Sequence, residues 1–259
     1  MIGSVLRIIV AVTGLAVVSA SFALEPIPID AETAFDSVTR GIMPGSGEQP
    51  GTTRVALIDI RDPVEYYFSG AAARVMELIL KDREGNEITI DPVGKTRLLY
   101  GGKVLEYQVA GMARWTLVSM VSKLVTAPIA DNVPFWLRAS DGKGWADTAT
   151  TEAAFYDAID DYMSGFDVVI LYCRTGGRST LAARGILDRY PEREGDVYEI
   201  DDPSGLNLFG GFSGSTYANA YNGHPGFPGR FSMNREPPSA SWLDSGLPVT
   251  TAFKPRLPE

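Results

Sequence analysis

Continuous apolar runs and amphipathic stretches alternate through the second half of the chain. The run FDVVILY at 166–172 is apolar almost throughout, which is typical of a strand buried on both faces of a parallel sheet. On either side of it the apolar spacing predicts helices, over 151–163 with Thr151 as N-cap and over 179–190. A further strand, VYEID, is predicted at 197–201. This alternation indicates an α/β fold with a parallel sheet flanked by helices.

The first half of the chain shows a mixed pattern. RVALIDI at 54–60 predicts a buried strand, and Asp62-Pro63 predicts the start of a short helix, VEYYF. A hairpin is expected through residues 84–86, whereas the apolar residues from Trp115 to Val125 have helical spacing. Gly, Pro, Ser and Asn residues predict two loops, at 40–53 and 202–241.

The first 23 residues have the pattern of a signal peptide. Arg7 precedes an apolar stretch at 8–18, and the small residues Ser21 and Ala23 mark a cleavage site. The apolar stretch is shorter than the roughly 20 residues that span a bilayer, so cleavage is favoured over an uncleaved anchor. We therefore expect a periplasmic or secreted protein that has no stable membrane insertion after cleavage.

The charge of the mature chain argues against polyanionic partners. Without the signal peptide and its Arg7, 22 basic residues remain against 32 acidic ones, a net charge of about −10. Nucleic acids and anionic membrane surfaces are therefore not expected to bind.

Cys173 is the only cysteine of the chain, so it has no partner for an internal disulfide. It follows the predicted buried strand, and Arg174, Thr175, Gly176, Gly177 and Arg178 separate it from the next helix. The two glycines permit positive φ, which turns successive backbone N–H groups inward as an anion-binding nest. The N-terminus of the helix near Ser179 and the two arginines add positive charge. This environment favours a thiolate, so a reactive thiol is preferred over a small buried apolar side chain.

The loop CRTGGRS resembles the active-site loop of the rhodanese family of sulfurtransferases, whose single-domain members commonly read Cys-x-x-Gly-x-Arg-Ser. Four further stretches resemble family landmarks in the family's order: VALIDIRDPVEY at 55–66, FDVVILYC at 166–173, VYEID with Gly210-Gly211, and SWLDSGLPV at 241–249. The resemblance implies a rhodanese-like parallel sheet flanked by helices.

The chain also departs from the family pattern. Family members usually carry His and then Pro-Gly-Ala after the Glu-Tyr pair, where residues 69–72 here read Ser-Gly-Ala-Ala. Two insertions are expected, at about 72–150 and 213–238. The resulting division is a signal peptide at 1–23, an N-terminal segment at 24–51, a rhodanese-like domain at 52–249 that contains both insertions, and a tail at 250–259.

The resemblance implies that Cys173 takes sulfane sulfur from a small anionic donor such as thiosulfate or polysulfide and holds it as a persulfide. A thiol or cyanide would then accept it. Residues 174–179 would bind the substrate, and Asp59 and Arg61 would support the loop, with Arg178 as a candidate partner of Asp59. No cofactor is implied, and no group of His or Cys residues predicts a metal site.

Other residues carry weaker predictions. His224 is interpreted as a solvated loop residue rather than a general base. Trp115, Trp136 and Trp145 are interpreted as core residues, with a cover over the active site as the alternative for one of them.

Two rival functions are kept. One is a non-catalytic rhodanese-like module that binds a partner protein through the insertions. The other is a cysteine phosphatase or arsenate reductase on the same scaffold; those enzymes resemble this chain less, because five residues rather than four separate their cysteine from the arginine.

Overall fold

A computed structural model describes the chain from Leu24 to Thr250 with gaps. The described residues are 24–47, 49–81, 84–90, 97–99, 104–106, 121–141, 144–201, 203, 242, 245 and 247–250. Several sequence predictions lie outside these residues: the signal peptide, most of the second loop with Gly210-Gly211 and His224, the insertion at 213–238, Trp115, and the tail beyond Thr250.

The described residues form four α-helices and eleven strands. The helices are α1 (Ala31–Arg40), α2 (Pro63–Ser69), α3 (Thr148–Gly165) and α4 (Gly177–Arg189). The strands are β1 (Ile27–Ile29), β2 (Val55–Asp59), β3 (Ala71–Lys81), β4 (Glu87–Ile90), β5 (Arg97–Leu99), β6 (Val104–Glu106), β7 (Val121–Pro128), β8 (Asp131–Asn132), β9 (Val168–Tyr172), β10 (Val197–Ile200) and β11 (Val249–Thr250).

A five-stranded parallel sheet is the centre of the fold, with strand order β1-β10-β9-β2-β8. This confirms the α/β class and the parallel sheet flanked by helices. All five residues of β9 are buried because both faces of the sheet are covered. Val169 and Leu171 pack with the cluster that contains α3 and α4. Val168 and Ile170 pack on the other face, with α1 and Trp242.

Both helices next to β9 begin earlier than the sequence predicted. Asp147 caps α3, because its side chain accepts a hydrogen bond of 3.1 Å from the Ala149 N–H. The prediction of Thr151 as the cap is therefore wrong; its hydroxyl donates to the Thr148 carbonyl inside the helix. Helix α4 begins at Gly177, directly after the cysteine loop.

The N-terminal segment supplies an edge strand and a helix to the same sheet. Strand β1 pairs with β10 in parallel. Asp30 then caps α1 by accepting a hydrogen bond of 2.7 Å from the Thr33 N–H.

The first predicted insertion contains antiparallel strands. Strand β3 pairs with β4 through the predicted hairpin at residues 84–86, with β7 along its other edge, and with β11 near its start. The helical prediction from Trp115 to Val125 is wrong for residues 121–125, which belong to β7. The backbone hydrogen bonds of this segment are made with β3, which is distant in sequence. Such tertiary pairing outweighs the helical preference that the local apolar spacing indicated. After β7 the chain returns to the central sheet as β8.

Candidate active site at the carboxyl edge of the sheet

Cys173 lies directly after the last residue of β9, at the edge where the parallel strands end. The residue after β2 is held beside the end of β9, because the Ile60 N–H donates a hydrogen bond of 3.0 Å to the Tyr172 carbonyl. The cysteine is 1% exposed. Side chains that follow these strands therefore meet at this edge, which is where open α/β sheets hold their ligands.

The sulfur of Cys173 accepts hydrogen bonds from its own loop. The Gly176 N–H donates to Sγ at 3.2 Å, and the Ser179 hydroxyl lies 3.7 Å from Sγ. Gly176 has a φ of 103°, as the sequence predicted, whereas Gly177 is not among the positive-φ glycines and begins α4. Two features disfavour a side chain at position 176. The positive φ strains any residue other than glycine, and a Cβ would lie 3.3 Å from the Asp201 carboxylate.

The N-terminus of α4 faces the sulfur without a side-chain cap. Gly176 occupies the N-cap position, and no side chain makes a capping hydrogen bond there. The first N–H groups of a helix have no partner within the helix, and they carry its partial positive charge. Thr175 is half-buried in the loop before this turn. The loop and the helix start together form a site suited to an anion on or beside Sγ.

The two loop arginines share one carboxylate, that of Glu65 on α2. Arg178 Nη2 lies 2.7 Å from Glu65 Oε2, and Arg174 Nη1 lies 3.6 Å from Oε1. All three side chains are mostly buried, with exposed fractions of 11% for Arg178, 21% for Arg174 and 14% for Glu65. The suggestion that Asp59 pairs with Arg178 is therefore wrong, because Glu65 is its partner.

Burial and charge oppose each other at Glu65. Burial by itself raises the pKa of this carboxyl, but the charges of Arg178, Arg61 and Arg174 and the hydrogen bond from Arg178 outweigh it. The pKa of Glu65 therefore lies below its usual value, and the group is ionised at neutral pH. Glu65 also accepts a hydrogen bond of 3.3 Å from the Asp62 N–H, which completes the capping box of α2.

Asp59 and Arg61 form a second, fully buried pair. Arg61 Nε lies 2.8 Å from Asp59 Oδ1, and Arg61 Nη2 also donates to the Gly70 carbonyl at 2.7 Å. The guanidinium lies between the rings of Tyr66 and Tyr172, at 5.4 and 5.6 Å from their centroids. The pair thus connects the ends of β2, α2 and β9.

Asn132, at the end of β8, binds the backbone of the same two residues. Its Nδ2 donates to the carbonyls of Asp59 and Arg61 at 2.8 and 2.9 Å. The outermost strand of the sheet is thereby tied to the strand that carries the buried pair.

The first insertion places Trp145 against the cysteine loop. The Arg178 Cζ atom lies 4.9 Å from the ring centroid of Trp145, and that of Arg138 lies 4.4 Å away. One indole ring therefore contacts two guanidinium groups. Trp136 lies 5.6 Å from Trp145 and stacks on Phe135 in the core. Trp145 thus contacts both the cysteine loop, through Arg178, and Trp136.

Sequence reasoning missed Glu65 as part of the site. Its signal was present, since Asp62-Pro-Val-Glu65 has the spacing of a capping box. That spacing predicts contact with the start of α2, whereas contact with a loop more than 100 residues later depends on the sheet topology.

Among the described residues, no group of His, Cys, Asp and Glu side chains is arranged to hold a metal ion. No helix in the same part of the chain has both the length and the apolar character needed to cross a membrane. Comparison of the chain with models of known protein families, with curated proteins and with solved structures finds no match.

Proposed function

We propose that the protein is a rhodanese-like sulfurtransferase that forms a persulfide on Cys173 and passes the sulfur to a thiol or to cyanide. The observation that carries this proposal is the donor set around Sγ, which the Gly176 N–H, the Ser179 hydroxyl and the uncapped start of α4 provide. These groups stabilise an anion without a metal or an organic cofactor.

The reaction balances with thiosulfate as the donor. The Cys173 thiolate attacks the outer sulfur of thiosulfate, a new S–S bond forms, and the S–S bond of thiosulfate breaks so that sulfite leaves with the electron pair. The enzyme then holds one added sulfur as a persulfide anion. Attack by cyanide on that sulfur yields thiocyanate and restores the thiolate.

The charges around the loop support an anionic donor. On the α2 side of the loop, one carboxylate, that of Glu65, faces two guanidinium groups, those of Arg174 and Arg178. Arg178 Nη1 is buried and has no hydrogen-bond partner in the described part of the chain. An oxygen of the anionic substrate could accept a hydrogen bond from this nitrogen. Such a bond would be favourable, because a buried N–H group without an acceptor costs free energy.

The absence of a second cysteine also supports the proposal. Cys173 has no neighbouring thiol that would attack the persulfide and release it as hydrogen sulfide. The signal-peptide pattern extends the proposal to an exported enzyme, and the first insertion, which carries Trp145, is the candidate surface for a protein partner.

The proposal is tested by intact-mass measurement after incubation with thiosulfate. The wild type should gain about one sulfur atom of mass and lose it when cyanide is added. Cys173→Ser should gain none and remain folded, because serine occupies similar space and the loop N–H groups stay in place.

Two other results would replace the proposal. Hydrolysis of an aryl phosphate without any gain of sulfur mass would support the phosphatase alternative. Neither activity, together with a folded wild type, would support the binding module.

A further inference from the structure

Arg138, in the first insertion, places a second guanidinium group on the ring that contacts the cysteine loop, and it has no part in the function proposed above. Residues 137–139 pair antiparallel with residues 144–146 through two backbone hydrogen bonds, of 2.8 and 3.3 Å, and Arg138 lies opposite Trp145. Side chains of directly opposed residues lie on the same face of an antiparallel pair. The guanidinium therefore lies over the indole ring, with Arg138 Cζ 4.4 Å from the ring centroid.

The paired segments are attached to the site at two points. The Arg138 N–H donates a hydrogen bond of 2.6 Å to Asp62 Oδ2, and Asp62 is the N-cap of α2, the helix that carries Glu65. The second point is the Trp145 ring, whose centroid lies 4.9 Å from Arg178 Cζ. Because Arg138 makes the first attachment with its backbone, replacement of its side chain leaves that hydrogen bond in place.

The two guanidinium groups on Trp145 differ in their partners. Arg178 Nη2 lies 2.7 Å from Glu65, whereas its buried Nη1 has no hydrogen-bond partner in the described part of the chain. Arg138 is exposed, and no carboxylate among the described residues forms an ion pair with its guanidinium. Two positive charges on one ring repel each other, so an anion that reaches both is favoured there.

We propose that Arg138 determines specificity for anionic substrates. Together with Arg178 it binds the sulfonate or carboxylate group of the donor or acceptor that reacts at Cys173. Arg178 is in the first turn of α4, next to Ser179, whose hydroxyl lies 3.7 Å from Cys173 Sγ. Guanidinium groups bind such oxyanions through charge-assisted hydrogen bonds. The inference rests on the proposed function in taking Cys173 as the reacting residue.

The test compares alkylation of Cys173 by iodoacetate and by iodoacetamide. The two reagents have the same leaving group and similar size, but only iodoacetate carries a carboxylate, and Cys173 is the only thiol that can react. Arg138→Gln should lower the ratio of the iodoacetate rate to the iodoacetamide rate about three- to fivefold, the effect of one exposed charge. The rate with neutral iodoacetamide should stay at its wild-type value.

Arg189→Gln is the matched control for this variant. Arg189 is also exposed, and its Cζ lies 4.4 Å from the ring centroid of Tyr156. It is the last residue of α4, about 18 Å along the helix axis from the first. The control loses the same charge and should keep the wild-type ratio. An unchanged ratio in Arg138→Gln, or an equal decrease in both variants, would overturn the proposal.

Arg138→Lys tests whether the positive charge is the cause. Lysine retains the charge without the planar fork of donors, so this variant should recover most of the wild-type ratio. A ratio as low as that of Arg138→Gln would show that the charge at position 138 does not attract the carboxylate, and would overturn the proposal.

The two half-reactions show which substrate carries the anionic group. If the donor does, Arg138→Gln should raise the thiosulfate concentration for half-maximal persulfide formation about threefold and retain the maximal rate. If the acceptor does, removal of the persulfide by 3-mercaptopropionate should slow, whereas removal by neutral 2-mercaptoethanol should not. A variant that forms the persulfide and shows neither effect would overturn the proposal.

The alkylation ratio separates this inference from the proposed function. Alkylation requires no sulfur donor, so the ratio decides the role of Arg138 whether or not a persulfide forms. A wild type that never gains sulfur mass would overturn the proposed function alone.

Discussion

Two arrangements of carboxylates and arginines lie near the carboxyl edge of the sheet, and they differ in how completely their polar groups are paired. Asp59 and Arg61 are 0% and 1% exposed, and the guanidinium is bounded by a carboxylate, a carbonyl and two aromatic rings. Glu65 instead divides its two oxygens between Arg174 and Arg178, and Arg178 keeps a buried N–H group without a partner in the described residues. The first arrangement fixes the ends of elements, whereas the second leaves one guanidinium nitrogen of Arg178 that, under the proposed function, would bind the anionic sulfur donor.

The buried pair should show the largest effect on stability. Arg61→Leu leaves the Asp59 carboxylate buried without its partner and should lower the free energy of unfolding by about 3–5 kcal/mol. Urea unfolding followed by circular dichroism measures this change.

The double variant Asp59→Leu, Arg61→Leu is the control, since removal of both charges should recover much of the loss. A loss below about 1 kcal/mol in Arg61→Leu would show that the pair is hydrated, and the contrast with the loop arginines would disappear.

Glu199, on β10, sharpens the comparison because it is a buried carboxyl that forms no ion pair with an arginine in the described part of the chain. Its pKa is raised from the ordinary 4.5 to about 7, so the folded state holds this proton more tightly than the unfolded chain does. The stability that follows is complete below pH 4.5, decreases between pH 4.5 and 7, and is lost above pH 7. Relative to Glu199→Gln, the wild type should therefore lose up to about 3 kcal/mol over that interval.

Urea unfolding of both proteins at pH 5 and pH 8 measures this difference. Glu192→Gln, on the exposed turn after α4, is the matched control and should track the wild type. A constant difference between the wild type and Glu199→Gln at both pH values would show that the carboxyl does not titrate in this range.

The loop arginines should have the smallest effect on stability and a selective effect on rate. Arg174→Ala should lower the free energy of unfolding by about 1 kcal/mol or less, because its contact with Glu65 is long at 3.6 Å. Arg178→Ala should lower it by about 1–3 kcal/mol, because the mostly buried Glu65 carboxylate then loses its partner at 2.7 Å. Persulfide formation from thiosulfate should slow about tenfold in Arg178→Ala and less in Arg174→Ala, whose contact with Glu65 is longer.

Neutral iodoacetamide serves as the reference reagent for these variants. If the arginines act on the anionic donor, the alkylation rate of Cys173 should change less than the rate with thiosulfate. Equal slowing with both reagents would assign the arginines to the thiol itself.

The sequence predicted the part of the site that depends on local pattern. The continuous apolar run ending at Tyr172, the glycine with positive φ at 176 and the helix that follows all lie within one stretch, and the structure has each of them. The parallel sheet followed from the same pattern, because strands buried on both faces need helices on each side.

The parts that sequence missed depend on contacts between distant residues. Strand β3 reads AAARVMELILK, which is rich in helix-forming residues, yet it pairs with β7 from Ala73 to Leu80. The sequence offered Arg178 only as a candidate partner of Asp59. Asp59 is instead taken by Arg61, two residues away, and Glu65 reaches the loop from α2.

The pairing of β1 with β10 has a consequence for the order in which the chain folds. Ile27 lies opposite Tyr198, so the first strand of the sheet has no place to pair until most of the chain has been made. Strand β11 repeats this at the other end, where Val249 lies opposite Ala72. Contacts of such sequence separation form late and slowly. The central sheet is therefore incomplete until β10 has been synthesised, and β11 joins β3 later still.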